Sequence, residues 1–356
     1  MAARERSPVG RLDPHDLAHV LDRTSHVWSG DLRGARVLVT GAAGFVGSWM
    51  LETMLHANEA LGLGLRATAL VRNQETFVKR FPHLASSSSV RLVTGDVRVA
   101  HPEVRGFSHY VHCASAASLE LNSKHPEAVI DLIERGTAAM VDAATTGTRF
   151  LQMSSGAVYG SQPLSIRLID ESCSAAAEAR EPVQGFGAAK RRAEQYGEAA
   201  VARGVGFVSA RVFALVGPRL PLEGEFAVGN FLGDAVAGRS VRVTGDGTPV
   251  RSWLHAADLA AWCWTLLARG TAGAAYNVGS EEEMPIAEAA RRVAALTEPP
   301  LAVSRGREPE PGATPSRYVP STRRAREELA LDAWITFDDA LRRTWNSLLS
   351  ERHGNG

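Results

Sequence analysis

Gly41, Gly44 and Gly47 stand between an apolar run, Val37-Leu38-Val39, and a helix-like stretch from Ser48 to Leu61. Glycines so placed can wrap backbone around a pyrophosphate. The first permits a tight turn, the second lets the backbone approach the phosphates, and the third allows close packing of helix on strand. The helix N-terminus then offers N–H groups and partial positive charge to the phosphates. A glycine-rich turn without a ligand is the plainer alternative, but the strand–turn–helix context is the one that marks a dinucleotide site. Arg72 follows the next strand-like run, Ala67 to Val71. In NAD-binding folds an acid commonly sits there and holds the adenosine ribose hydroxyls. An arginine accepts no such hydrogen bond but pairs well with a 2′-phosphate. The expected cofactor is therefore NADP or NAD, with Arg72 leaning towards NADP. Arg72 could equally stack on adenine or stand solvated at a strand end. Cys113, Cys173 and Cys263 show no CxxC spacing, so neither a disulfide framework nor a metal site is expected.

The elements that must hold these groups alternate. Further strands read at Val90–Val93, Tyr110–Cys113, Arg149–Met153 and Val205–Val212, with helices at Ala128–Ala144 and Phe186–Ala202. Strands alternating with helices predict an α/β fold with a doubly wound parallel sheet. Asp16–Trp28 reads as a helix whose role is packing. Beyond Gly217 the rhythm loosens. Helices are expected at Phe226–Ala237, Ala256–Ala268 and Arg323–Leu349, with a polar surface loop at Thr297–Pro315. Residues 1–34 are expected to form a helical extension, 35–217 a dinucleotide-binding domain, and 218–356 a smaller substrate lobe partly interleaved with the first domain.

The chain has 356 residues, 45% hydrophobic and 22% charged, which is too apolar for disorder. Lys plus Arg and Asp plus Glu both total 39, so whole-chain charge gives no support for nucleic acid or a membrane surface as partner. The polar start and the lack of any run near ~20 apolar residues lead to the expectation of a cytoplasmic protein.

The GxxGxxG spacing resembles the extended short-chain dehydrogenase/reductase family, whose members act on nucleotide sugars. Other segments carry the resemblance: Gly95-Asp96-Val97, His112-Cys113-Ala114-Ser115, Ser154-Ser155-Gly156-Ala157-Val158-Tyr159-Gly160, Arg211 to Gly217-Pro218 with Ala214 at the usual Asn, Gly245 to Trp253, and Tyr276-Asn277-Val278-Gly279. It runs from Arg36 to about Gly279. It implies a Rossmann fold and a nucleotide-diphosphate sugar as partner. Cofactor contacts would come from Gly41, Ala43, Gly44, Phe45, Val46, Gly47, Arg72, Asp96, Val97, Cys113, Ala114, Ser115 and Lys190. Substrate contacts would come from Ser118, Ser155, Asn230 and Arg251, the last two at the diphosphate. His255, Trp253, Trp262 and Trp264 are read as packing. A homodimer is expected through the helices Ala128–Ala144 and Phe186–Ala202, where Val129, Leu132, Ile133 and Met140 are either interface or core.

The family pairs a Tyr with a Lys one helical turn later, which puts both on one face. The Lys lowers the Tyr pKa, the tyrosinate takes the sugar hydroxyl proton, and a Ser steadies the reacting oxygen. Lys190 and Ser155 match, but Phe186 stands at the Tyr position. Three readings stay open. Phe186 is an engineered change that holds substrate unreacted; or another group is the base, with Tyr159, Cys113, Glu120 and Glu171 as candidates; or the chain binds without catalysing. For the reaction, dehydratases of this family carry an Asp-Glu pair where Gly156 and Ala157 stand, and decarboxylases a Glu in the same segment. Epimerisation at C4 needs no such pair and is the expected reaction. Dehydration, and decarboxylation of the UDP-glucuronate type suggested by His112 to Ser118, remain alternatives.

Overall fold

The computed structural model describes residues 8–99, 101–115, 124–173 and 185–353. Helix α1 (Pro14–Gly30) starts from Asp13, whose carboxylate accepts from the His15 N–H, with Pro14 opening the first turn. It buries Val20, Val27 and Trp28, so the extension packs as the sequence suggested. The chain then alternates: β1 (Arg36–Thr40), α2 (Phe45–Leu61), β2 (Arg66–Val71), two short helices α3 (Gln74–Arg80) and α4 (Pro82–Ala85), β3 (Val90–Thr94), β4 (His109–His112), α5 (Pro126–Ala143), β5 (Arg149–Ser155), α6 (Gly185–Ala202) and β6 (Gly206–Val212). Short strands β7 (Leu215–Val216), β8 (Val241–Val243), β9 (Val250–Arg251) and β10 (Leu254–His255) follow, with α7 (Ala227–Val236) before β8 and α8 (Ala256–Arg269) after β10. The rest is β11 (Ala275–Val278), β12 (Met284–Pro285), α9 (Ile286–Ala294), β13 (Val303–Arg305), β14 (Arg317–Tyr318), α10 (Arg323–Leu329) and α11 (Phe337–His353).

Seven strands form one sheet in the order β11-β6-β5-β4-β1-β2-β3, and every pair in it is parallel. Helices cover both faces, so its strands are continuous apolar runs rather than alternating ones. Val37, Leu38 and Val39 are fully buried. Phe150 stacks on Phe207 with ring centroids 5.0 Å apart and on Tyr110 at 5.5 Å. On the other face, α8 carries Trp262 and Trp264, both fully buried. The Trp264 indole N–H donates to the Thr53 hydroxyl at 3.0 Å, and that of Trp262 to the Asp332 carbonyl at 2.9 Å. Trp253 packs on Phe337, and His255, fully buried, has its pKa lowered to about 3 by desolvation and stays neutral. These four are core, as read.

Two expectations need correction. Arg323–Leu349 is not one helix: Ala330 adopts φ +54, and the chain re-enters helix only at Phe337. A left-handed residue ends a helix by turning its last carbonyls to new partners. The loop Thr297–Pro315 contains β13, which pairs with β8. Ala275–Val278 is a strand at the edge of the main sheet, joined to β6 from within the C-terminal segment.

Candidate active site

The strand order reverses between β1 and β4, so the chain leaves their carboxyl ends towards opposite sides and opens a crevice there. The glycine loop lines it. Gly41 has φ +65, and a Cβ on it would lie 2.7 Å from the Cys113 carbonyl carbon and 2.8 Å from the Ala114 nitrogen. A Cβ on Gly47 would collide with the Gly41 carbonyl, and one on Gly44 would come within 3.1 Å of it. Only glycine lets the turn fold this tightly against the end of β4. No side chain caps the first turn of α2, so its N–H groups remain open to an anion. Arg80 donates to the Ala43 carbonyl at 2.7 Å and pins the loop from behind. Phe45 and Val46 are half-buried beside it. Thr40 and His112, paired across β1 and β4, are joined by a 2.8 Å hydrogen bond, and the Ala114 N–H donates to the Thr40 hydroxyl at 3.1 Å.

At one end of the crevice stand Arg72 and Asp96. Arg72 is exposed. Arg98 chelates Asp96 and reaches Asp131 at 2.7 Å. The Arg98 hydrogen bonds, with help from the field of Arg72, hold the Asp96 pKa at about 2. Val97 is buried against Gly136.

At the other end are Lys190, Ser155, Cys113 and Phe186. Lys190 is 3% exposed, and its ammonium donates to the Met153 carbonyl at 2.6 Å. Burial lowers its pKa to about 8, against the opposing pull of Cys113 and Glu194. The Phe186 ring lies 5.5 Å from the Lys190 Nζ and packs on the cluster Val129, Ile133, Ala189 and Ala193. Val129, Ile133 and Met140 are thus core residues of this chain. The Ser155 hydroxyl accepts from the Ala157 N–H at 3.1 Å. The Ser115 hydroxyl is buried with no partner among the described residues.

Of the candidate replacement bases, Tyr159 and Glu171 are already engaged, and burial disfavours the charged form of Cys113. The Tyr159 hydroxyl donates to Asn277 at 2.7 Å and accepts from Arg211 at 2.8 Å, and burial pushes its pKa up. Glu171 accepts from the Asn277 N–H at 2.7 Å, and burial raises its pKa too. Both belong to a structural cluster with Arg211 and Glu194. Cys113 packs against the hydrophobic core, and burial raises its thiol to about 12. Glu120 and Ser118 lie outside the described residues.

Tyr318 on β14, which no motif singled out, enters here. Its hydroxyl lies against Gly156, the chain neighbour of Ser155, and Arg251 lies 5.8 Å from its ring. A Cβ on Gly156 would stand 2.6 Å from its hydroxyl oxygen. The only hint in the sequence was the missing side chain at position 156. Arg251 is paired with Tyr318 across β9 and β14 and is held by the Val250 carbonyl at 2.8 Å. The buried Ser252 hydroxyl next to it has no partner among the described residues. Asn230, on α7, donates to the Gly224 carbonyl at 2.9 Å.

The glycine cradle, the open helix terminus and the orphaned Ser115 hydroxyl fit a dinucleotide whose phosphates lie over α2. Among the described residues no cluster of three His, Cys, Asp or Glu could hold a metal, and no helix is long and apolar enough to cross a membrane.

Comparison with known proteins agrees with this geometry. The NAD dependent epimerase/dehydratase family matches residues 37–279. UDP-glucuronic acid decarboxylase 1 of Arabidopsis thaliana is 27% identical over 342 residues, 90% of this chain and 72% of that protein. The dTDP-glucose 4,6-dehydratase of Streptomyces niveus is 27% identical over 314 residues, 86% of this chain and 90% of that protein. The dTDP-glucose 4,6-dehydratase DesIV of Streptomyces venezuelae, solved with NAD bound, superposes with a TM-score of 0.74 at 23% identity, over 90% of this chain and 98% of that one. The chain belongs to the NAD dependent epimerase/dehydratase family, among the extended short-chain dehydrogenases/reductases.

Proposed function

We propose that this chain is a nucleotide-sugar 4-epimerase. When bound, NAD(P)+ supplies a hydride acceptor that later returns the hydride. The carrying observation is at Gly156. A Cβ there would lie 2.6 Å from the Tyr318 hydroxyl and 2.7 Å from the Phe213 ring. Position 156 carries no carboxylate, a side chain there would have to displace Tyr318 or Phe213, and Ala157 adds none. Elimination of water needs an acid for the leaving hydroxyl and a base for the neighbouring C–H. Epimerisation needs only oxidation, turning of the ketosugar and reduction.

The residues divide the work. Lys190, fixed on the Met153 carbonyl, binds the nicotinamide ribose. Ser155 holds the reacting oxygen, Arg251 and Asn230 the diphosphate, and Ser115 a hydroxyl of cofactor or sugar. Arg72 takes the adenosine end and, where a 2′-phosphate is present, pairs with it, which favours NADP. Residues 35–217 carry the dinucleotide and 218–356 most of the nucleotide sugar. Two copies pair through the outer surfaces of α5 and α6; a solution mass of one chain would remove this pairing. A second reading, dehydration or decarboxylation by other groups, has the 27% identical relatives in its favour.

The test is a panel of UDP-, GDP-, ADP-, CDP- and dTDP-sugars incubated with the protein and NAD(P)+, with products identified by mass and NMR. A product of unchanged mass, inverted at one carbon, is expected. A 4-keto-6-deoxy sugar, or a pentose with release of carbon dioxide, overturns the epimerase. Failure of every sugar nucleotide to bind overturns the whole reading.

A further inference from the structure

We propose that Tyr318 supplies the phenol that position 186 lacks, and that it exchanges a proton with the reacting sugar hydroxyl through Ser155. This rests on the nucleotide-sugar reading above. Four observations carry it. Phe186, the residue placed to face Lys190, has no proton to move. The Tyr318 hydroxyl stands against the backbone of Gly156, one residue beyond Ser155. Gly156 leaves the space that this hydroxyl occupies. Arg251 lies beside the ring of Tyr318, so the ring spans from a cation suited to a diphosphate to the serine at the reacting end. A sugar joined to a diphosphate must bridge the same interval.

The step balances as follows. The C–H hydride leaves the sugar carbon with its electron pair for the nicotinamide of NAD(P)+, which becomes NAD(P)H. The O–H proton passes to the Ser155 oxygen as the serine proton passes to the Tyr318 phenolate. Sugar alcohol, oxidised nicotinamide and phenolate become ketose, reduced nicotinamide and phenol. The return runs backwards with the same atoms.

The groups around the phenol set its pH behaviour. Arg251 faces it from β9, and Ser155 from the end of β5. Lys190 stands beyond Ser155 on α6. The ion pair Arg317–Glu283 is next to it along β14 and β12. Tyr159 and Cys173 share its apolar cluster with Phe213. Burial outweighs Ser155 and Arg251 and raises the phenol to about 12. The phenolate fraction, and with it the rate, should therefore rise about tenfold per pH unit through neutrality.

The test compares the wild-type chain with Tyr318→Phe, which keeps the ring against Phe213, and with Ser155→Ala. UDP-glucose and dTDP-glucose serve as probes. Binding is measured by calorimetry, the phenol by ultraviolet difference absorbance on adding the probe with NAD+, and hydride transfer by single-turnover absorbance of the reduced nicotinamide. Wild type should show a phenol difference signal that Tyr318→Phe lacks. Tyr318→Phe should bind the probes within about threefold of wild type yet lose at least ~10²-fold in hydride transfer and the pH slope. Ser155→Ala should keep the phenol signal and lose the rate. Equal rates in wild type and Tyr318→Phe, or a bound probe that leaves the phenol signal unchanged, overturn the proposal. If neither probe binds, the calorimetry shows that the substrate reading has failed, and the proposal falls with it.

Discussion

Replacing Phe186 by Tyr adds one hydroxyl beside Lys190, and the structure fixes what it should do. The ring centroid is 5.5 Å from the Lys190 Nζ. With phenolate and ammonium about 5 Å apart and an effective dielectric near 20, the attraction is about 3 kcal/mol. That lowers a phenol from about 10 to about 8. The sign is consistent on both partners: the phenolate favours charged Lys190, whose pKa burial has depressed to about 8. At pH 7 a phenol titrating near 8 is roughly one-tenth phenolate. One titrating near 12, as Tyr318 does, is about 10⁻⁵ phenolate. Four decades of base population are gained, and about half is returned by the weaker basicity, leaving ~10²-fold in rate. Single-turnover hydride transfer between pH 6 and 10 is the assay, with the phenol followed by difference absorbance. The variant's rate should level off near pH 8, where wild type still climbs. A variant no faster than wild type, or one whose rate climbs without levelling, would show that the new hydroxyl and Lys190 do not couple.

Gly156→Ala puts a carbon 2.7 Å from the Phe213 ring and 2.6 Å from the Tyr318 hydroxyl; thermal unfolding should report a loss of about 1–3 kcal/mol, and an unchanged midpoint would mean that β14 yields freely. Lys190 has a folded pKa of about 8 against 10.5 for an ordinary lysine. Between those values the unfolded chain holds more protons, so this group makes stability rise with pH. Cys113, raised from 9.0 to about 12, acts in the opposite sense, so the difference between wild type and Lys190→Met isolates the lysine. The pH dependence of urea unfolding from 8 to 10 should lose that rising component in the variant; parallel curves would place the ammonium in water. Arg72→Glu should cut the NADP-to-NAD affinity ratio by at least ~10-fold, since a charge-assisted hydrogen bond is worth about 1.5–3 kcal/mol; calorimetry that finds the ratio unchanged would remove Arg72 from the cofactor site.

What could be read from the chain, and what could not, divides by distance along it. The glycine loop and the buried strands are local patterns. Val37-Leu38-Val39 announces a strand because both faces of a parallel sheet are covered, and Gly41 and Gly47 announce a turn because a Cβ on either meets backbone. Lys190 and Ser155 were singled out through motif position, and the structure puts one on the Met153 carbonyl and the other at the end of β5. Tyr159 and Glu171 were misjudged as candidate bases by the same route. Nearness in a motif does not show that Asn277 and Arg211 have already taken their oxygens. Tyr318 had no local signal, because it reaches Ser155 only when a two-residue strand pairs with β9 in the far lobe.

Phe186 and Gly156 are far apart in the chain and look like two separate losses, one of a hydroxyl and one of a side chain. In the fold they belong to one end of the crevice. The first removes a phenol from beside Lys190, and the second makes room for another beside Ser155. The exchange has a direction. A phenol against Lys190 gains a cation that stabilises its anion, whereas at Tyr318 burial outweighs the field of Arg251 and holds the phenol protonated. A site built this way carries less base at neutral pH, yet it keeps a hydroxyl donor ready for the return step, in which a ketone oxygen must gain a proton. Its ratio of return rate to oxidation rate at pH 7 should therefore exceed that of Phe186→Tyr, and a pre-formed ketosugar offered with reduced nicotinamide measures that ratio directly.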